Sequence, residues 1–263
     1  MLLGAITTRH HRLSNSLQIR VSRSMIGYLS MASDVIHMHR PHALVPNNFV
    51  EQIAAAITAC RPGKFLRVAV DGVDGVGKTT FADALGAAVE RMVRPIIRAS
   101  ADGFHHPRAV RYRRGRASPT GFYLDSYDYA AMRTQLLDPL GPSGSGRYLQ
   151  AVFDEKMDVV LPTLWHNAAP GSALILDGLF LHRPELRAYW DLSIFLEAPF
   201  AVTIPRGAGR GPDWGSPDPA APSNQRYIEG QMLYLHECQP KELAHVVIDY
   251  TEILAPRVVT WRI

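Results

Sequence analysis

The apolar positions of the chain change period several times, and each change marks an element. In NNFVEQIAAAITACRPG the residues Phe49, Val50, Ile53, Ala54 and Ile57 recur at helical spacing, with Asn47 or Asn48 as cap and Pro62-Gly63 as stop. FLRVAV, RPIIRAS, SALILDG and DLSIFLEAP are short, nearly continuous apolar runs, as strands buried on both faces of a parallel sheet require. KTTFADALGAAVERM and NQRYIEGQMLYLHEC return to helical spacing, HRPELRAYW predicts a short helix, and DSYDYAAMRTQLLDPLG predicts one capped by Asp125 or Ser126. RYLQAVFD reads as a strand of a small side hairpin, and HVVIDY as the last strand. From Asp102 to Tyr123 no period holds, which predicts an irregular excursion from the sheet. IPRGAGRGPDWGSPDPAAPSN, rich in Gly and Pro, reads as largely loop. Strands alternating with helices predict an α/β fold with a mostly parallel sheet.

Composition narrows this picture modestly. With 263 residues, 47% of them hydrophobic, the chain can bury one sizeable core. The start departs from the rest: residues 1–33 hold no acid and carry Arg9, Arg12, Arg20 and Arg23 among serines. Such a composition fits a transit peptide, an upstream start or a disordered tail, and a tail over 1–45 followed by one domain over 46–263 is the preferred reading. His37, His39 and His42 fall in that tail, without the fixed geometry a metal needs. Two distant cysteines, Cys60 and Cys238, provide neither a disulfide framework nor a zinc site, which fits a reducing cytoplasm. No apolar run reaches the length of a membrane span, so a soluble protein without a membrane partner is expected.

Net charge is +4, carried by 28 basic residues of which only Lys64, Lys78, Lys156 and Lys241 are lysines. Arginine suits anionic ligands, but a chain-wide bias is weak evidence. No stripe interleaves aromatic and basic residues, so no nucleic-acid partner is expected. Arg108, Arg111, Arg113, Arg114 and Arg116 crowd the irregular excursion. They either hold an anionic substrate near Asp102 or pair with carboxylates on a solvated loop, and the second reading is preferred.

The sharpest local signal is VAVDGVDGVGKTT. Gly72, Val73, Asp74, Gly75, Val76, Gly77, Lys78 and Thr79 match G-x-x-x-x-G-K-[ST] between a predicted strand and a predicted helix, the context this motif requires. Glycines let the backbone curl with its N–H groups inward around phosphate oxygens, and the helix N-terminus adds its positive dipole end. Lys78 would reach the β and γ phosphates, Thr79 would offer its hydroxyl to Mg²⁺, and Thr80 closes the loop. A dinucleotide fingerprint would need a third glycine where Thr80 stands, so ATP or GTP with Mg²⁺ is favoured over NAD. Ligands of open parallel sheets sit at the C-terminal strand ends. Two acids are predicted there, Asp102 after RPIIRAS and Asp177 after ALIL, each able to hold Mg²⁺ or to accept the proton of an attacking hydroxyl.

Taken in order, VAVDGVDGVGKTT, SADGFHHP, FYLDSYD, LILDGLFL, a Gly/Arg loop and RYIEGQMLY resemble the uridine kinase, pantothenate kinase and phosphoribulokinase superfamily of P-loop kinases, over about Lys64 to Tyr250. Within it the likeness leans to bacterial uridine kinase-like proteins. The resemblance implies a P-loop NTPase three-layer sandwich: a mostly parallel central sheet, helices on both faces and a small lid at about 204–224. It also implies transfer of the γ-phosphoryl group of ATP, with Mg²⁺, to a hydroxyl of a small molecule. Carried over, Lys78 and Thr79 hold the phosphates and Mg²⁺, and Asp102 takes the acceptor proton. Asp177 stands where uridine kinases often have Glu, as a metal residue. Arg206 and Arg210 occupy the lid region, where Pro205, Gly207, Gly209 and Gly211 replace the family's usual regular helix. His105, Tyr127, Asp128, Phe153 and Asp154 resemble acceptor-site positions. A nucleoside acceptor is preferred and a pantothenate-like alcohol comes next.

Two other classes stay open. The P-loop also resembles that of thymidylate kinases, with Asp74 in the same place, but DGFHHPR stands where that family carries D-R-[YH]. A non-catalytic nucleotide-binding protein is the remaining alternative. The resemblance leaves a homo-oligomer open.

Overall fold

The computed structural model describes residues 48–211 and 214–263; the predicted tail, its histidines and Asn47 lie outside these residues. The described chain runs α1 (Asn48–Ala59), β1 (Leu66–Gly72), α2 (Lys78–Arg91) and β2 (Ile96–Ser100). It then passes a 3-10 turn (Ala101–Phe104) and three short helices, α3 (Arg108–Arg111), α4 (Pro119–Asp125) and α5 (Tyr129–Met132). Two-residue strands follow, β3 (Arg147–Tyr148), β4 (Phe153–Asp154), β5 (Val159–Val160) and β6 (His166–Asn167). The remainder is β7 (Ala173–Gly178), β8 (Leu192–Glu197), α6 (Phe200–Ala208), α7 (Pro222–Cys238), α8 (Pro240–Leu243), β9 (Val246–Asp249) and β10 (Arg257–Trp261).

The main sheet has the order β10-β9-β8-β1-β7-β2. Five of its strands are parallel and β10 runs antiparallel along the edge. Alternation within the strands builds two cores. Leu66, Val68, Val70, Ile175, Ile194 and Leu196 pack with Ile53, Ile57, Phe81 and Leu85 of α1 and α2. Ala69, Leu174, Leu176 and Phe195 face the other way, against Phe104, Phe122, Met132, Phe180 and Tyr234. Helices therefore cover both faces in three layers, because apolar residues at successive positions leave neither face fit for water. Register pairs Ser100 with Asp177 and Asp177 with Val70, so β1, β7 and β2 end level at one rim. No helix among the described residues is long and apolar enough to cross a membrane.

Several elements differ from the sequence reading. Asp128, not Asp125 or Ser126, caps α5 by accepting the Ala131 N–H at 2.8 Å, because Asp125 is buried at the end of α4 and bound to Arg113 and Arg114. The excursion after Asp102 contains α3 and α4 rather than loop alone. HRPELRAYW forms only a 3-10 turn at Arg187–Tyr189. The segment read as loop after β8 begins with α6, which carries Arg206 and continues through Pro205 to a cap at Gly209. β9 is followed by one more strand, β10.

Candidate active site

The loop between β1 and α2 is shaped by its glycines. Gly75 has φ +71° and Gly77 φ +109°, and a Cβ on Gly75 would lie 2.2 Å from the Thr203 carbonyl oxygen of α6. Only glycine fits that approach. Gly77 also caps α2, leaving the helix N-terminus pointed into the loop. Lys78 Nζ donates to the Val73 carbonyl at 3.0 Å, and the Asp74 N–H donates to Gln231 Oε1 at 2.6 Å. Thr80 is half-buried one step further along α2, and Val76 is buried.

Asp177 closes this wall. It is buried at the end of β7, and its Oδ2 accepts the Thr79 hydroxyl at 2.7 Å while its Oδ1 accepts from Arg98 Nη2 at 2.8 Å. A hydroxyl beside a carboxylate is an all-oxygen donor pair of the kind Mg²⁺ takes together with waters and substrate phosphates. The residues present therefore fit a Mg-nucleotide, with Thr79 and Asp177 toward the metal and Lys78 with the loop amides toward the phosphates.

Asp102 lies on the far side of β7 from the loop, in the 3-10 turn after β2. Ser100 Oγ accepts its N–H at 3.3 Å, and Tyr127 donates its hydroxyl to Oδ1 at 3.3 Å. Asp102 is an exposed residue. The protein walls crowding it nevertheless push its pKa up, as do the carboxylates of Asp74 and Asp177, while His105 and Lys78 oppose them. Burial, reinforced by Asp102, pushes the Tyr127 hydroxyl well above its usual range, so it stays protonated and donates. Asp74, Lys78, Thr79, Ser100, Asp102, Asp177, Arg210 and Trp214 all line one cleft.

The other predicted residues divide. His105 tilts against Tyr127 with ring centroids 4.5 Å apart, and its Nδ1–H donates to the Asp102 carbonyl at 3.0 Å. Asp128 is engaged as the cap of α5, and Asp154 accepts the N–H groups of Lys156 and Met157, each at 3.0 Å, inside its own turn. Phe153 is buried beside it. The two lid arginines part company. Arg210 lies over the Trp214 ring at 4.8 Å and lines the cleft, whereas Arg206 turns behind the loop to the carbonyls of Val76, Tyr250 and Thr251. In the arginine-rich excursion, Arg111 pairs with Glu155, Arg113 and Arg114 with Asp125, and Arg108 reaches the Lys156 carbonyl. Arg116 lies over Tyr112 at 4.9 Å. Three of the five arginines are thus paired with carboxylates, the arrangement the sequence favoured for most of them.

Neither a protein-family model nor a curated protein sequence matches the chain. Solved structures do. A protein described as a possible uridine kinase from Bacillus stearothermophilus superposes with a TM-score of 0.59 at 21% identity, covering 75% of this chain and 96% of that one. A protein described as a fructose transport system kinase from Silicibacter sp. TM1040 gives 0.54 at 24% identity, over 74% and 94%. D-glycerate 3-kinase from Cryptococcus neoformans gives 0.52 at 12% identity, over 81% and 99%. The chain has the fold of these P-loop kinases.

Within this P-loop kinase fold, three groups escaped the sequence reading. Arg98 reaches Asp177, although it sits in a strand read only for its apolar run. Its single charge inside IIRAS was the available signal. Trp214 lay in a segment with no period to place it. At the root of the loop, Asp71 accepts the Gly72 N–H at 2.7 Å, meets His182 Nδ1 at 2.7 Å and takes the Tyr234 hydroxyl. These partners lie more than a hundred residues along the chain, beyond the reach of any local motif.

Proposed function

We propose that the chain is an ATP-dependent, Mg²⁺-requiring kinase that transfers the γ-phosphoryl group to a hydroxyl of a small metabolite. One observation carries this reading: Lys78, Thr79 and Asp177 line the same cleft as Asp102. The names of the neighbouring folds, all kinases, support it. In this mechanism the loop amides and Lys78 orient the phosphates, Asp102 takes the proton of the acceptor hydroxyl, and the acceptor oxygen bonds to the γ-phosphorus. The bond from that phosphorus to the bridging oxygen breaks, and ADP leaves with the electron pair. Mg²⁺, when bound, would neutralise charge on the β and γ oxygens. Arg210, at the cleft, is the better placed of the two lid arginines to meet the transferring group.

For the acceptor we infer a nucleoside, with a pantothenate-like alcohol as the alternative. The half-buried His105 ring, held against the buried Tyr127 with centroids 4.5 Å apart, offers aromatic surface beside Asp102, and the nearby arginines are engaged with protein groups rather than open to an anion. The reading places the enzyme in the cytoplasm, with neither membrane nor nucleic acid as partner. A coupled assay with Mg-ATP against nucleosides, pantothenate, ribulose phosphate and sugars tests it. Asp102→Asn is expected to keep ATP binding and to lose about 10²–10⁴-fold in turnover, the usual contribution of a positioned base. Full activity in that variant removes Asp102 from the base role, and a panel in which only nucleotides react turns the assignment to a nucleoside monophosphate kinase.

A further inference from the structure

Position 98 is where an inward-facing apolar residue belongs. Arg98 shares its side of β2 with Ile96, which packs against the core under α1 and α2. Its methylene stem crosses Gly86 of α2, where a Cβ would meet Arg98 Cδ at 3.3 Å. A helix-interior glycine costs about 1 kcal/mol relative to alanine, and here it leaves room for that stem. The stem thus fills the apolar layer while the guanidinium emerges at the rim, as long basic side chains do.

At the rim the guanidinium is a three-way fork. Nε donates to Asp83 Oδ1 of α2 at 3.0 Å, Nη1 to the Ile175 carbonyl of β7 at 2.6 Å, and Nη2 to Asp177 Oδ1 at 2.8 Å. Asp83 lies one helical turn after Thr79, on the same side of α2. One planar group therefore ties the helix that carries Thr79 to the strand that carries Asp177. With Oδ1 held by Arg98, the carboxylate presents Oδ2 to the Thr79 hydroxyl, 2.7 Å away.

We propose that Arg98 is a positioning residue for the divalent cation: it locks Asp177 in the orientation that, with Thr79, receives Mg²⁺. The inference rests on the kinase reading of Thr79 and Asp177 given above. Groups that orient a metal-binding carboxylate from behind influence metal affinity strongly without touching the metal. A clip that merely fastened α2 to the sheet would lower stability and leave the metal response alone.

The test is calorimetric titration of the purified protein with ATP, first in EDTA and then across a series of MgCl₂ concentrations. Arg98→Met keeps the length of the stem and removes the fork. It is expected to raise the Mg²⁺ concentration for half-maximal enhancement of ATP binding by about tenfold, at the lower end for such outer groups, with ATP affinity in EDTA unchanged. Arg98→Lys restores charge without the planar fork and should recover part of the shift. Asp83→Asn loosens the fork from α2 and should shift the Mg²⁺ requirement the same way, by about two- to threefold. A Mg²⁺ response like wild type in Arg98→Met overturns the proposal, and so does an equal loss of ATP affinity with and without Mg²⁺. If Arg98→Met does not fold, unaltered Mg²⁺ dependence in both Arg98→Lys and Asp83→Asn overturns it. Wild-type protein that binds ATP with no Mg²⁺ response overturns the metal reading of Thr79 and Asp177 and this inference with it. A Mg²⁺ response in wild type that the variants do not alter overturns this inference alone.

Discussion

The two walls of the cleft are built in opposite ways. The wall formed by β1, the glycine loop and α2 comes from one continuous stretch, and its lysine is held locally: Lys78 bonds the Val73 carbonyl, five residues back. The wall around Asp102 is assembled from distant pieces. Arg226 of α7 reaches the carbonyls of Arg111, Gly115, Arg116 and Ser118, more than a hundred residues away, and stacks over Tyr112 and Phe122. A phosphate-binding loop tolerates little variation because its backbone is the ligand, whereas an acceptor wall is made of side chains that any scaffold can hold. The difference predicts that damage to the first wall strikes binding directly and damage to the second strikes stability first.

The largest effect is expected at Gly75. Gly75→Ala puts a Cβ 2.2 Å from the Thr203 oxygen at a φ of +71°, so the loop or α6 must move. ATP affinity and turnover should fall together by about 10³-fold, on the order of 4 kcal/mol, as when preorganised donors are lost. Titration with ATP and steady-state kinetics measure this; retention of near-normal binding would mean that the loop amides are not the phosphate cradle.

Arg226→Met strikes the other wall. It leaves several carbonyl oxygens of the excursion without their charged donor, which should cost about 3 kcal/mol and lower Tm by on the order of 6–12 °C. ATP affinity below Tm should hold. Thermal unfolding and ATP titration on the same sample check both halves, and an equal loss of ATP affinity would erase the distinction between the walls.

The same contrast explains what was legible in the sequence. β1, α2, β2, β7 and the order of Lys78, Thr79, Asp102 and Asp177 follow from local period and one motif, and they arrive at one rim because parallel strands place their ends together. The excursion was not legible, since α3 has four residues and α4 seven, too short to show a helical stripe. The cap of α5 fell to Asp128 because Asp125 is held by Arg113 and Arg114, a competition visible only in three dimensions. Arg206 and Arg210 lie one helical turn apart in sequence and yet serve opposite sides of the loop, which depends on where α6 packs. The edge strand β10 escaped because most of its residues face water and carry no alternating apolar pattern.

The smallest effect joins the two walls. Asp102 is pushed upward by crowding within the cleft and by the carboxylates of Asp74 and Asp177. A base must be deprotonated to accept the acceptor proton, so activity should rise with pH through this raised pKa, above the ordinary aspartate value of about 3.9. Asp74→Asn removes one of the charges that raise it and leaves the Asp74 N–H bond to Gln231 available. The acidic limb of kcat/KM for the acceptor should therefore move to lower pH, with the maximum retained. Substitution in the glycine loop would then be setting the titration of a residue across the cleft. An acidic limb that stays in place in Asp74→Asn, or moves upward, would mean that the two walls do not share this field and that the limb reports a group other than Asp102.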